Sequence, residues 1–193
     1  MGHDLFSIGI LLFHDVEVLD FAGPYEVFSC ARNEENAPYF QLATVTEQNP
    51  VMCRGGLTVT SQYTFDNAPH FDVLIIPGGP GARAVPSPAL DTYVRKVSDS
   101  GCILATVCTG AYILAHLGLL DGKQATTHTA WQADLAHRFS EITVVSDKIV
   151  DAGRIITAGG VTTGIELGLH LLERYFGSEA RRREAIRLDG PFV

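Results

Sequence analysis

Short apolar runs alternate along the chain with longer stretches in which apolar residues recur at helical spacing. We predict strands over residues 7–13, 39–46, 73–76 and 101–107, with shorter strand pieces at 125–127, 143–145, 149–150 and 154–157. Helices are predicted from Gly23-Pro24, over 88–98, after Gly110 through His116, over 130–139 and 163–176, and in a final charged stretch over 179–186. A small hairpin is predicted over residues 51–60, around Arg54-Gly55-Gly56. Strands that alternate with helices favour an α/β fold with a mostly parallel sheet, which binds ligands at the carboxyl ends of its strands.

Composition narrows the classes of protein to consider. The chain has 193 residues, of which 46% are apolar and 19% charged, so we expect a single globular domain over residues 1–193 and exclude a disordered chain. The formal net charge of −8 disfavours nucleic acid as a partner. An apolar run such as 10–13 is too short to cross a bilayer, and the chain opens with no signal-peptide pattern. We therefore expect a cytoplasmic protein with no membrane partner.

Four scattered cysteines raise the question of which of them is chemical: Cys30, Cys53, Cys102 and Cys108. No CxxC pair occurs among them, so free thiols are expected. Cys108 follows a predicted strand and precedes a helix through a run of small residues, the shape of a nucleophile elbow. A helix N-terminus beside the sulfur favours the thiolate. The alternative is an inert core cysteine, which is the reading we give to the other three.

A glycine-rich loop ends the predicted strand over 73–76. The Gly78 and Gly79 amides, together with the Thr109 amide, are candidates to hold a developing negative charge. The alternative is a tight strand-to-helix turn without a ligand. Neither the GxGxxG spacing nor a phosphate-loop lysine is present, so the loop is not a dinucleotide or phosphate motif, and no cofactor is expected.

Acidic and histidine side chains near the strand ends complete the set of candidates. Asp20 lies between Leu19 and Phe21, where burial would raise the pKa of a carboxyl group, although a helix cap or a solvated acid is the alternative. Asp15 and Glu17 compete for the same role. His128 follows a short strand and is a candidate for the mouth of the same site, the alternative being an ordinary loop or core histidine. Histidines and carboxylates nowhere show metal-ligand spacing, so no metal is predicted.

Three segments resemble the DJ-1/PfpI (ThiJ) superfamily: ATVCTGAYILAHLGLLDGKQATTH, IPGGPGAR and VLDFAGPYEVF. The likeness extends from Ser7 to about Phe176, and within the superfamily it is nearest to isocyanide hydratases and to the sensor domain of some AraC-type regulators. It implies a flavodoxin-like three-layer sandwich, a homodimer and a reactive cysteine at Cys108. It also implies an acid partner at Asp20 and oxyanion amides at Gly79 and Thr109.

Residues that differ from the superfamily pattern indicate which of its activities this protein is expected to have. Thr109 occupies the position where PfpI-type proteases carry histidine, and Asp20 the position where DJ-1-like members carry glutamate. AraC-type regulators continue into a helix-turn-helix, whereas this sequence ends at Val193. The resemblance implies a small-molecule enzyme, a lyase of the isocyanide hydratase type. A ligand or redox sensor built on Cys108 and a glyoxalase-like lyase are the alternatives.

Overall fold

A computed structural model describes residues 5–192 of the chain. The strands in chain order are β1 (Phe6–Leu12), β2 (Phe40–Thr46), β3 (Val51–Met52), β4 (Thr58–Val59), β5 (Tyr63–Thr64), β6 (Val73–Ile76), β7 (Ile103–Val107), β8 (Gln124–Ala125), β9 (Thr143–Val144), β10 (Ile149–Asp151) and β11 (Ile155–Ala158). The helices are α1 (Val18–Cys30), α2 (Pro88–Asp99), α3 (Ala111–His116), α4 (Gln132–Arg138), α5 (Thr163–Phe176) and α6 (Ser178–Arg187). Short 3-10 turns lie at Pro80–Arg83, Cys108–Gly110 and Thr129–Trp131.

The central sheet has seven strands in the order β10-β11-β7-β6-β1-β2-β5. All neighbours in it run parallel except β10, which is antiparallel to β11. The predicted α/β fold of the flavodoxin-like type is confirmed. The predicted hairpin is also present, as the antiparallel pair β3–β4. The strand-like residues near 125 pair with β9 outside the central sheet, and the short edge strand β5 has no counterpart in the prediction.

Alternate side chains of the central strands enter two separate cores, one on each face of the sheet. In β1, Ile10 and Leu12 join the core covered by α1, α5 and α6, whereas Leu11 points to the core covered by α2, α3 and α4. β6 behaves in the same way. Burial on both faces explains why these strands read as continuous apolar runs. Within residues 5–192, no helix is both long and apolar enough to cross a membrane.

The first helix starts earlier than the sequence predicts. The prediction that Gly23-Pro24 opens it is wrong, because α1 begins at Val18 and Pro24 lies in its interior. Proline removes a backbone donor there, but close packing of α1 on α5 holds the helix together. A Cβ at Gly164 would lie 3.0 Å from Pro24 Cδ, and one at Gly168 would lie 2.9 Å from Val27 Cβ, so the two glycines let the helices approach. The earlier start places Asp20 in the first turn of α1.

Candidate active site

Cys108 stands at the sharp turn between β7 and the helical segment that follows it. Its backbone φ is +55°, in the left-handed region that non-glycine residues rarely adopt, and its side chain is 6% exposed. The buried hydroxyl of Thr127 donates a 2.7 Å hydrogen bond to the Cys108 carbonyl. The turn therefore has the form that the sequence predicts for an elbow, and a residue from a neighbouring loop supports its strained backbone.

Asp20 approaches Cys108 from the first turn of α1. Its side chain is 0% exposed, and Oδ2 accepts a 2.9 Å hydrogen bond from the Gly78 amide. The other oxygen, Oδ1, is buried without a hydrogen-bond partner among residues 5–192. The Asp20 carboxyl and the Cys108 thiol are near enough for each to affect the pKa of the other, since Cys108 lowers the pKa of Asp20 and Asp20 raises that of Cys108. Such contacts often tighten only when a substrate binds.

Burial governs the protonation of this pair. Burial raises the pKa of Asp20 from 3.8 to about 7, although the hydrogen bond from the Gly78 amide acts to lower this pKa. Burial, and after it the nearby Asp20 charge, raise the pKa of the Cys108 thiol to about 12, while the Thr109 amide acts in the opposite direction. This direction runs against the expected thiolate, because loss of solvation favours the neutral thiol more than the Thr109 amide favours the charged form. Near neutral pH the two groups together hold between one and two protons.

The glycine loop uses its amides within the protein. The Gly78 amide donates to Asp20, and the Gly79 amide donates to Thr109 Oγ1 at 2.9 Å. The Thr109 hydroxyl in turn donates to the Gly79 carbonyl at 3.1 Å. The expectation that the Gly78 and Gly79 amides are free for an oxyanion is therefore corrected: they position Asp20 and Thr109. A side chain at Gly78 would displace both partners, since its Cβ would lie 2.5 Å from the Thr109 nitrogen and 2.8 Å from Asp20 Oδ2.

An open cleft of about 340 Å³ leads from the surface to Cys108. It is lined by Glu17, Arg54, Gly79, Pro80, Arg83, Cys108, Thr109, His128, Trp131 and Val161. The structure thus brings His128 to the mouth shared with Cys108 and Thr109. The half-buried imidazole caps the turn that follows it, with Nδ1 accepting a 3.1 Å hydrogen bond from the Ala130 amide.

Several cleft residues escaped the sequence analysis. Arg83 stacks on Trp131, with its guanidinium carbon 3.7 Å from the ring centroid. Arg54, from the hairpin turn, forms a 2.6 Å ion pair with Glu17. The sequence predicts only that Trp131 lies in a helix over residues 130–139, and no local pattern marks the two arginines as cleft residues. The nearest signal is that Arg83 follows the glycine loop by two residues.

The competing acids and thiols have other surroundings. Asp15 is half-buried, with its carboxyl 3.4 Å from the His14 ring, and Glu17 pairs with Arg54. Of these three acids, Asp20 is the one that raises the pKa of the thiol. All four cysteines are free, with Cys53 and Cys102 buried and Cys30 half-buried. Residues 5–192 contain no group of three or more His, Cys, Asp or Glu side chains that could hold a metal ion. The absence of a metal from the chemistry stays a prediction.

A parallel α/β sandwich with a cysteine on a strained strand-to-helix turn defines the class of this protein. Its sequence matches the model of the DJ-1/PfpI family over residues 6–174, and the chain belongs to that family. It is 34% identical over 186 residues to the isonitrile hydratase of Pseudomonas putida, covering 95% of this chain and 78% of that protein. It is 29% identical over 175 residues to the transcriptional regulator GbdR of Pseudomonas aeruginosa, covering 90% of this chain but 47% of the regulator.

Solved structures give the same placement. A THiJ/PfpI family protein from Pseudomonas syringae superposes with a TM-score of 0.85 at 25% identity, covering 97% of this chain and 76% of that one. DJ-1beta of Drosophila melanogaster superposes with a TM-score of 0.81 at 23% identity, covering 96% of this chain and 98% of that one. At the identity of DJ-1beta, the likeness shows the fold alone.

Proposed function

We propose that this protein is a cysteine-dependent hydratase that adds water to an isocyanide and yields an N-substituted formamide. The observation that carries the proposal is the buried pair of Asp20 and Cys108 at the floor of an open cleft. The 34% identity to an isonitrile hydratase supports the same reaction class.

The first step forms a carbon–sulfur bond. Cys108 attacks the terminal carbon of the isocyanide while its proton passes to the Asp20 carboxylate, which acts as general base. Asp20 then returns the proton to the same carbon, and a thioimidate bonded to sulfur results. The pKa of about 7 suits Asp20 to both transfers, because a group poised near neutral pH accepts and releases a proton with little cost.

The second step consumes water. A water molecule adds across the carbon–nitrogen double bond, its oxygen going to carbon and a proton going to nitrogen. The carbon–sulfur bond then breaks as the carbonyl forms, the formamide leaves, and the hydroxyl proton returns through Asp20 to the sulfur. Thr109, held by Gly79, lines the cleft where the substrate would be oriented.

Variants at two cysteines test the proposal. Cys108→Ala should abolish hydration of a small isocyanide, because no other described thiol lines the cleft, whereas the buried Cys102→Ala should retain turnover. Asp20→Asn should keep the fold and lose most of the rate. Full activity in Cys108→Ala would contradict the mechanism, and full activity in Asp20→Asn would remove Asp20 from it. Methylglyoxal in the same assay tests a glyoxalase-like lyase.

A ligand or redox sensor is the second candidate function. It is favoured by the 29% identity to a transcriptional regulator and by the open cleft that leads to Cys108, where a small ligand could bind. Mass spectrometry after mild peroxide discriminates between the two. Selective oxidation of Cys108 in a protein that hydrates no isocyanide would favour the sensor.

Partners and location remain part of the proposal. We infer a small-molecule substrate, a homodimer as the family resemblance implies, and a cytoplasmic location. Sedimentation velocity would test the homodimer, and a monomer over a wide concentration range would contradict it. In an electrophoretic mobility-shift assay with duplex DNA, a lack of shifted bands would support the expectation that nucleic acid is not a partner.

A further inference from the structure

Two hydrogen-bond donors line the cleft without an acceptor. The Arg83 guanidinium donates to no described residue and forms no ion pair within residues 5–192. His128 accepts the Ala130 amide at Nδ1, so the neutral ring carries its proton on Nε2, for which no acceptor is present among the described residues. Unmatched donors in a cleft above a candidate nucleophile point to a ligand that supplies acceptors.

Arg83 differs from the other arginine of the cleft. Arg54 forms a 2.6 Å ion pair with Glu17, which neutralises its charge. Arg83 has no such acidic partner among the described residues. Stacking on Trp131 covers one face of the guanidinium and keeps its in-plane N–H groups available, the arrangement that suits bidentate binding of a carboxylate. The protein as a whole has a net charge of −8, so the unpaired positive charge of Arg83 is opposite in sign to its surroundings on average.

The wall that carries Trp131 is anchored to the helix after Cys108. The Tyr112 hydroxyl lies 2.7 Å from Asp134 Oδ2 and 3.1 Å from the Trp131 carbonyl. Tyr112 is fully buried in α3 and lies four residues after Cys108. The stacked arginine is therefore fixed relative to the elbow, so that it can set the orientation of a ligand whose other end reaches the sulfur.

We propose that the cleft selects a small isocyanide that carries a carboxylate, with Arg83 binding the carboxylate while the isocyanide carbon faces Cys108. The isocyanide end rests on the proposed function, whereas the carboxylate end rests on Arg83, Trp131 and His128. A cleft of about 340 Å³ accommodates a molecule of this kind. Arg83 is a specificity-determining residue in this scheme and takes no part in the bond changes.

A matched pair of substrates tests the carboxylate. Isocyanoacetate carries it, and methyl isocyanoacetate replaces it with a neutral ester of similar size. We expect kcat/KM to be about tenfold or more higher for isocyanoacetate, mainly through a lower KM, with the advantage shrinking as salt is added. Arg83→Gln should lose this preference, and Arg83→Lys should keep part of it because the charge remains. Arg95→Gln, on the exposed surface of α2, is the control that should leave the preference unchanged.

Binding without turnover separates the two hypotheses. N-Formylglycine, the hydration product of isocyanoacetate, and its methyl ester are titrated by calorimetry into wild type and Arg83→Gln. Tighter binding of the carboxylate that depends on Arg83 supports the proposal even if no isocyanide is hydrated, in which case only the proposed function fails. Hydration of both isocyanides with no preference, or equal binding of acid and ester, overturns the carboxylate proposal and leaves the hydratase intact.

Discussion

The Thr127 hydroxyl donates a 2.7 Å hydrogen bond to the carbonyl of Cys108, the residue whose φ of +55° forms the elbow. Both side chains are buried, so water does not hydrate the Cys108 carbonyl, and the Thr127 hydroxyl supplies the hydrogen bond that this carbonyl needs. A left-handed backbone at a non-glycine residue persists only where its surroundings hold it. Thr127, 19 residues along the chain, is one of the groups that do so.

Thr127→Val tests this support, because it keeps the shape of the side chain and removes the donor. We expect a loss of about 1–3 kcal/mol in the free energy of unfolding, since the buried carbonyl loses its partner. The isocyanide hydration kcat should fall roughly ten- to a hundredfold as the sulfur moves, with a smaller change in KM. Thr127→Ser should restore both. Thr92→Val removes a comparable 2.8 Å bond to the Pro88 carbonyl on the exposed face of α2 and should leave kcat unchanged.

The pH dependence of the reaction should report the Asp20–Cys108 pair. The reactive state holds one proton between the two groups, and a second proton binds as pH falls through the Asp20 pKa of about 7. We therefore expect kcat/KM to rise from pH 5 to about pH 8 and then to level off, because the thiol with a pKa of about 12 does not titrate in that range. Initial rates across this range check it. A profile that falls with rising pH would require a doubly protonated reactive state.

Asp20 should also make stability depend on pH. Its pKa rises from 3.8 to about 7 on folding, so the folded chain holds a proton that the unfolded chain has released. The free energy of unfolding should therefore fall as pH rises from about 4 to about 7. Urea unfolding of wild type and Asp20→Asn at several pH values measures the difference, and this contribution should vanish in the variant. Parallel pH profiles for the two proteins would show that Asp20 is not buried as a titrating carboxyl.

The sequence predicts the strands and the elbow because their causes are local. The apolar run over β6 and the helical pattern of α5 each coincide with the observed bounds, since burial on both faces of a sheet, or on one face of a helix, leaves its period in the sequence. The turn at Cys108 is visible for the same reason, as a strand that runs into small residues.

Features made by distant residues are not predictable in this way. The environment of Asp20 depends on the Gly78 amide, 58 positions away, and on the exclusion of water by the helices that pack on that face of the sheet. The stack of Arg83 on Trp131 joins two segments with no shared motif. The start of α1 is not visible in the sequence, because Pro24 is tolerated in the interior of the helix through the packing of α1 against α5.

That packing gives the last prediction, at Gly168 in the middle of α5. Alanine would ordinarily stabilise a helix by about 1 kcal/mol relative to glycine. Here its Cβ would lie 2.9 Å from Val27 Cβ, so α1 must move away and carry Asp20 with it. We expect Gly168→Ala to lower the free energy of unfolding by about 1–3 kcal/mol and to reduce kcat.

The compensating change identifies the contact. Val27→Ala alone should destabilise the protein by leaving a cavity, whereas combined with Gly168→Ala it should recover stability and turnover, because the shorter side chain makes room for the new methyl group. Urea unfolding and hydration rates of the two single variants and the double variant complete the cycle. Additive losses would mean that the α1–α5 contact does not set the position of Asp20. If the Gly168→Ala variant is more stable than wild type, helix propensity outweighs the contact.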